Sequence, residues 1–120
     1  MRYAIGDIHG GVKTFRALLR KIDLRHSDQL FTLGDYVDRG PDSKGVLDTI
    51  MELLRAGYDV TALRGNHDDM MLSAITDASD NLARSWFGNW GESFGIDYPE
   101  EVPERYINFL TSLPLVVVGV

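Results

Sequence analysis

The sequence contains no cysteine, which excludes disulfide bonds and thiolate metal ligands. It also lacks a long apolar run: residues 115–118 fall far short of the ~20 apolar residues that a bilayer span needs, and no charged-then-apolar leader precedes the first motif. Basic residues are scarce, with 12 Lys and Arg against 18 Asp and Glu, and the resulting net charge of −6 argues against a nucleic-acid polymer as the main partner. We therefore predict a cytoplasmic protein with no membrane partner, in which Asp, Asn and His would have to hold any metal.

The composition that is present is typical of one soluble globular domain. Hydrophobic residues make up 44% of the 120 residues and charged residues 25%, a balance that supports a folded core. No repeat, low-complexity segment or linker divides the chain. We predict a single domain over residues 1–120.

Three short apolar segments each lead into a glycine that is followed by polar, metal-binding side chains. The segments cover residues 3–5, 30–33 and 60–63, and the sequences that follow them are GDIHG, GDYVDRGP and RGNHD. Two amphipathic helices are predicted between them, with apolar faces at Phe15, Leu18, Leu19 and Ile22, and at Val46, Leu47, Ile50, Leu53 and Leu54. The order β-α-β-α-β is typical of an α/β fold with a mostly parallel sheet flanked by helices, in which the three loops meet at one edge.

The carboxyl-terminal part is less regular. We predict a helix over residues 68–75, a loop over 76–81, a last helix opening at Pro103 and a strand over 115–120. The aromatic and glycine-rich residues 86–91 are interpreted either as a packed cap over the site or as a substrate surface.

The loop residues have the chemistry of metal ligands. Asp7 and His9 are two positions apart, so an extended loop would point both side chains the same way. Asp35 offers two oxygens and is the candidate bridge between two cations, which lie ~3.5–4 Å apart in two-metal hydrolases. Asn66 adds a neutral amide oxygen. This mixed set suits Mn, Fe or Zn better than Ca, which prefers oxygen ligands alone.

Two arginines in the same loops indicate the substrate. Arg39 and Arg64 carry planar guanidinium groups, which bind phosphate bidentately, so we predict a phosphate ester as substrate. Each residue alone has a simpler interpretation: Gly-Asp after a strand is common in turns, Asp38 could accept backbone hydrogen bonds, and Arg39 could be a surface charge. The three motifs in order favour a functional site. His26, in a polar segment, is expected to be solvated.

The three motifs resemble the amino-terminal motifs of the calcineurin-like metallophosphoesterases, in the version found in serine/threonine phosphoprotein phosphatases. Further stretches, RGNHDDMM, Trp86, Asn89-Trp90-Gly91 and Ser112-Leu113-Pro114-Leu115, resemble the bacterial and phage branch of that group. The resemblance implies that the chain is the amino-terminal part of a four-layer αββα sandwich.

The resemblance also implies a set of metal ligands. Asp7 and His9 would bind the first metal, Asp35 would bridge, and Asn66 would bind the second. Two divalent ions are implied, with manganese expected first and iron, zinc or nickel as alternatives, and hydrolysis would use a bridging hydroxide.

Four further residues receive catalytic or substrate-binding roles by the same resemblance. His67 would protonate the leaving oxygen and Asp38 would hold His67 in orientation. Arg39 and Arg64 would bind the phosphoryl oxygens.

The sequence departs from the family pattern after these motifs. Family members have two further histidine ligands to the second metal, whereas this chain has no histidine after His67. We therefore expect the domain to be incomplete at its carboxyl end. A strand over residues 115–120 without its neighbour would expose unpaired backbone groups and invite self-association.

Three functions remain open. The main interpretation is a phosphatase acting on phosphoserine and phosphothreonine in proteins. The first alternative is a symmetrical dinucleoside tetraphosphate hydrolase, whose branch tends to lose the acid at the position of Asp38. The second is a non-catalytic, truncated metal-binding module. The expected substrate is thus a phosphorylated protein or a nucleotide phosphate.

Overall fold

The computed structural model describes residues 1–6, 8–37, 41–77, 79–85, 87, 91 and 94–115. In chain order its elements are β1 (Arg2–Ile5), α1 (Val12–Lys21), β2 (Gln29–Thr32), α2 (Ser43–Arg55), β3 (Asp59–Ala62), α3 (Asn66–Thr76), α4 (Asn81–Ser85), a 3-10 turn (Pro99–Glu101) and α5 (Glu104–Ser112). The predicted β-α-β-α-β order is confirmed.

The three strands form a parallel sheet in the order β1-β2-β3. In its last row Ile5 pairs with Thr32, and Thr32 pairs with Ala62. The strands therefore end level with one another, and the loops that follow them start from the same edge. This is the edge at which parallel sheets place their ligands.

One face of the sheet forms the core. Ile5, Leu30, Thr32 and Ala62 are buried on this face, and the buried helix residues Phe15, Val46, Leu47 and Ile50 supply its other side. Ala4, between Tyr3 and Ile5 in β1, is exposed. Because the crossovers of a parallel sheet in this order are both right-handed, α1 and α2 cover the same face of the sheet. Within the described ranges no second sheet lies on the other face, so the four-layer sandwich stays a prediction.

Helix α2 begins after a capping residue and is followed by a glycine. Asp42 is the N-cap, and its Oδ1 accepts a 2.7 Å hydrogen bond from the backbone N–H of Gly45. After Arg55 the chain turns at Gly57, which has a φ of +87°. Glycine adopts that left-handed conformation without strain.

Several predicted boundaries were wrong by one or more residues. Strands β2 and β3 end at Thr32 and Ala62, one residue earlier than predicted, and α3 begins at Asn66 rather than at residue 68. Helix α4 begins at Asn81, inside the predicted loop. Its N-cap is Asp80, whose Oδ1 accepts a 3.0 Å hydrogen bond from the N–H of Ala83.

The aromatic stretch is only partly described. Phe87 and Gly91 have helical backbone, and Phe87 packs partly buried against the core. Beyond the stretch, Phe94 is buried with its ring edge-to-face on Tyr106 at 5.2 Å between centroids. Trp86, residues 88–90 and the predicted strand over 116–120 lie outside the described residues.

Helix α5 follows Pro103 as predicted and buries Tyr106 and Leu110. None of the helices in the described part of the chain has the length and apolar character to cross a membrane. His26 is exposed, as expected, but it is not simply solvated. Its ring stacks on Tyr58 at 4.0 Å, and its Nε2 lies 3.0 Å from the carbonyl oxygen of Ala56.

Candidate functional site

The loops after the three strands are joined directly by hydrogen bonds. The backbone N–H groups of His9 and Gly10 donate to the carbonyl oxygens of Asp35 and Tyr36, at 2.9 and 2.7 Å. The backbone N–H of His67 donates to Asp35 Oδ1 at 3.0 Å. Asp35 thus lies between the other two loops, and the structure brings together His9, Asp35 and His67.

Two of these loops contain non-glycine residues with left-handed backbone. His9 has a φ of +45° and Asp35 a φ of +55°. Such conformations cost free energy in L-residues and are concentrated at functional sites, where the surrounding structure fixes them. The strain is local to the ends of β1 and β2.

The hydrogen bonding of His9 determines which ring nitrogen can bind a cation. Its Nδ1 lies 3.1 Å from the carbonyl oxygen of Val37. A carbonyl oxygen only accepts hydrogen bonds, so Nδ1 carries the proton, and in the neutral ring Nε2 carries the lone pair. An Nδ1–H that donates to a backbone carbonyl is the usual outer support of a metal-binding histidine. The ring of His9 lies edge-on to that of His67, 5.2 Å away between centroids.

Asp35 and Asn66 also have chemistry suited to a cation. The Asp35 carboxylate has about four acceptor sites, and the bond from His67 uses one of them. Asn66 is the exposed first residue of α3 and lines a groove of about 420 Å³. Carboxylate, amide and imidazole donors together fit a divalent transition metal. Among the described residues, which leave out Asp7, no three His, Asp or Glu side chains group as a metal site.

Arg64 follows β3, and its side chain is mostly buried. The side chain is 18% exposed, and its Nε lies 3.5 Å from Asp69 Oδ1. Within the part of the chain that the structure covers, this Nε has no hydrogen-bond partner. The backbone N–H of Arg64 donates to the carbonyl oxygen of Pro114 at 2.8 Å. The backbone of Arg64 is thus anchored, and its buried Nε faces the Asp69 carboxylate as an ion pair.

Asp68 is a buried carboxylate of this site that was not predicted from the sequence. It is fully buried and accepts hydrogen bonds from the backbone N–H groups of Gly65, Asp35 and Tyr36. Burial raises the pKa of Asp68 to about 6, while these backbone N–H groups act to lower it. The position could have been found: an acid three residues after a helix N-cap is the second half of a capping box.

Tyr36 was missed as well. Its hydroxyl donates to the carbonyl oxygen of Leu63 at 2.6 Å and lies 2.8 Å from Thr32 Oγ1. Burial raises the pKa of Tyr36 above its ordinary value, so the hydroxyl stays neutral and can donate. It links the loop after β2 to the end of β3. The sequence carried no signal for this contact, since it depends on how the two strands pair.

Three predicted site residues lie outside the described residues. They are Asp7, Asp38 and Arg39.

Comparison with known proteins gives a consistent family. The family described as Calcineurin-like phosphoesterase matches residues 3–119. The chain is 44% identical over 88 residues to the symmetrical bis(5'-nucleosyl)-tetraphosphatase of Delftia acidovorans, covering 68% of this chain and 30% of that protein. It is 39% identical over 93 residues to serine/threonine-protein phosphatase 1 of Salmonella typhimurium, covering 77% and 39%.

Two solved structures are similar to this chain. A crystal structure described as a candidate diadenosine tetraphosphatase superposes with a TM-score of 0.65 at 31% identity, covering 92% of this chain and 41% of that one. A metallophosphoesterase from Sphaerobacter thermophilus has a TM-score of 0.61 at 23% identity, covering 94% and 40%, and supports the fold alone. The chain spans between 30% and 39% of the length of the two curated relatives.

Proposed function

Because the chain belongs to the calcineurin-like phosphoesterase family, we propose that it acts in a metal-dependent phosphoester hydrolase whose substrate is a dinucleoside tetraphosphate, cleaved symmetrically. The observation that carries the hydrolase proposal is the meeting of three loops at Asp35, which accepts hydrogen bonds from the backbones of His9 and His67 while the two imidazole rings lie 5.2 Å apart. The substrate is favoured by the relatives named as symmetrical tetraphosphatases, one of them 44% identical.

Members of this family use a dinuclear divalent metal site. Asp7, His9 and Asp35 would hold one cation, and Asp35 and Asn66 would contribute to the other. Bound cations supply a nucleophile by lowering the pKa of water toward neutral pH, and they polarise phosphoryl oxygens. We propose manganese first, since the mixed oxygen and nitrogen donors suit it, with iron, zinc and nickel as alternatives.

The other site residues act on the substrate. Arg64 would bind a phosphoryl oxygen through its guanidinium group, with Arg39 beside it. His67 would pass a proton to the leaving oxygen, and Asp38 would keep that imidazole protonated and oriented. The hydrogen bond between the backbone of His67 and Asp35 Oδ1 ties the acid to the metal-binding loop.

A protein phosphatase is the second candidate. One curated relative, 39% identical over 77% of this chain, is named a serine/threonine-protein phosphatase. The sequence also keeps an acid at Asp38, which the tetraphosphate hydrolases tend to lose. Both substrates use the same metal site, so the difference must lie in the groups around it.

The test is hydrolysis by the full-length protein with added manganese. Diadenosine tetraphosphate, a phosphoserine peptide and p-nitrophenyl phosphate are compared, and the nucleotide products are separated by chromatography. We expect diadenosine tetraphosphate to have the highest kcat/KM and to yield ADP as its nucleotide product. Preference for the phosphopeptide would favour the second candidate, and AMP with ATP would contradict symmetrical cleavage.

A matched pair of variants ties the activity to the site. Asp35→Asn keeps the shape of the side chain but removes its charge. Activity should fall by at least ~100-fold, since even outer supports of a metal ligand are worth ~10–100-fold. Asp59→Asn, at the start of β3 and exposed, should retain activity. A protein that binds manganese but turns over none of the three substrates would support the non-catalytic module instead.

A further inference from the structure

We infer that Asp68 is a positioning residue that holds the loops after β2 and β3 in their metal-binding geometry before any metal binds. Asp68 Oδ2 accepts hydrogen bonds from the backbone N–H of Asp35 at 2.7 Å and of Gly65 at 2.9 Å. Its Oδ1 accepts from the N–H of Tyr36 at 2.9 Å, with that of Val37 at 3.4 Å. A single carboxylate therefore binds backbone of both loops.

The position of Asp68 makes this a supporting role. Its side chain is fully buried, so it cannot contact a substrate in this geometry. Burial also removes water as a competing donor, and hydrogen bonds from N–H groups to an ionised acceptor are stronger than neutral ones. Asp68 lies in the first turn of α3, where the positive end of the helix dipole stabilises a negative charge.

The hydrogen bonds of Asp68 form part of a closed ring. Asp35 donates its backbone N–H to Asp68, and the Asp35 carboxylate accepts from the backbone N–H of His67, the residue before Asp68. The carbonyl oxygen of Asp35 in turn accepts from the N–H of His9. Loss of the Asp68 contacts would release the left-handed backbone of Asp35 and, with it, its contacts to His9 and His67.

The first measurement is backbone amide exchange by NMR on the metal-free, full-length protein. Asp68→Asn keeps the shape but replaces one acceptor oxygen with an NH₂ donor, which would face backbone N–H groups. Because hydrogen bonds to charged groups are worth a factor of ~10 or more, the amides of Asp35 and Tyr36 should then exchange at least ~10-fold faster, while those of Leu30 and Phe31 in β2 stay unchanged. Unchanged exchange at Asp35 and Tyr36 would overturn the inference.

Asp28→Asn is the matched control. Asp28 is 8% exposed, and its Oδ2 accepts a 2.9 Å hydrogen bond from the N–H of Arg25. Asp28 precedes β2, so it lies at the edge of the sheet opposite to the candidate site. This variant should leave the amides of Asp35 and Tyr36 as they are in the unmutated protein. Equal acceleration by both variants would show a general loss of stability and would overturn the inference.

Should Asp68→Asn fail to fold, the unmutated protein alone decides the question. The amides of Asp35, Tyr36 and Gly65 should be protected without metal. If these amides exchange freely until manganese is added, the metal and not Asp68 orders the loops, and the inference is overturned.

The second measurement is manganese binding by calorimetry, which rests on the proposed function. Asp68→Asn should weaken binding ~10–100-fold, as expected for an outer support, and Asp28→Asn should not change it. Equal affinity of Asp68→Asn and the unmutated protein would contradict the role of Asp68. An unmutated protein that binds no divalent metal would overturn the proposed function alone, and amide exchange would still decide on Asp68.

Discussion

Gly34 and Gly65 lie in direct backbone contact: a methyl group added to Gly34 would stand 2.5 Å from the backbone nitrogen of Gly65. This contact joins the loop after β2 to the loop after β3, one residue before Asp35. Gly34 also has a φ of +99°. The loops can approach this closely because neither residue carries a Cβ atom.

Gly34→Ala should therefore destabilise the protein more than a left-handed φ alone would. Gly57→Ala is the control, because Gly57 has a φ of +87° but its added Cβ would meet only His26 Cδ2, at 3.9 Å. Gly57→Ala should cost about 1–2 kcal/mol, the cost of a left-handed L-residue. Urea unfolding should show a larger loss for Gly34→Ala, and equal losses would contradict the close contact.

The role of His67 as an acid is tested by the leaving group. A general acid contributes ~10²–10⁴-fold and matters most for a poor leaving group. His67→Asn should reduce hydrolysis of an alkyl phosphate such as phosphoserine far more than that of p-nitrophenyl phosphate, whose leaving group hardly needs a proton. Steady-state kinetics on both substrates measures the ratio. Equal losses would make His67 a ligand or a structural residue.

Arg64→Lys tests bidentate binding of the phosphoryl group. Lysine keeps the charge but not the planar pair of donors. Hydrogen bonds to charged groups contribute about 1.5–3 kcal/mol, so kcat/KM should fall by about 10-fold or more. Arg55→Lys, exposed in the last turn of α2, is the control and should not change kcat/KM. If Arg64→Lys keeps full activity, the site needs only a positive charge at this position and not a bidentate guanidinium group.

The N-cap of α4 predicts a pH dependence of stability. Hydrogen bonds from the Ser73 hydroxyl and then from the N–H of Ala83 lower the pKa of Asp80 in the folded protein. A lowered folded pKa stabilises the protein above the unfolded pKa, and this contribution is lost as pH falls through the folded pKa. Asp80→Asn should thus lower the urea midpoint at pH 7, and the difference should shrink below about pH 4. If the difference in urea midpoint is the same at every pH, the effect of Asp80→Asn comes from the shape of the side chain and not from its charge.

The arrangement of the fold could be predicted because it depends on local patterns. Helix α2 shows its period in Val46, Leu47 and Ile50, which are buried as the apolar face predicts. The start of α3 was predicted too late, because its first turn contains Asn66 and His67, which are polar and carry no apolar period. The pairing of Tyr36 with Leu63 could not be predicted, since it needs the register of two strands.

The residues of the candidate site were likewise predicted only in part. The motifs identified His9, Asp35 and His67 by their chemistry and their place after strands, and the structure brings them together. Asp68 was not identified, because its role depends on backbone N–H groups of another loop. The metal-binding and catalytic roles of all the predicted site residues stay predictions, and Asp7, Asp38 and Arg39 lie outside the described residues.

The hydrogen bond from Arg64 to Pro114 has a consequence for how the parts of the candidate site depend on the rest of the chain. The ring through Asp35, His67 and Asp68 is closed by hydrogen bonds among residues of the loops after β2 and β3. Arg64 instead has its backbone N–H anchored by the carboxyl-terminal segment. Loss of the segment around Pro114 would take no hydrogen bond from the ring, but it would release the backbone of Arg64. The loops proposed to bind cations are thus held locally, whereas the arginine proposed to bind the phosphoryl group depends on a distant part of the sequence.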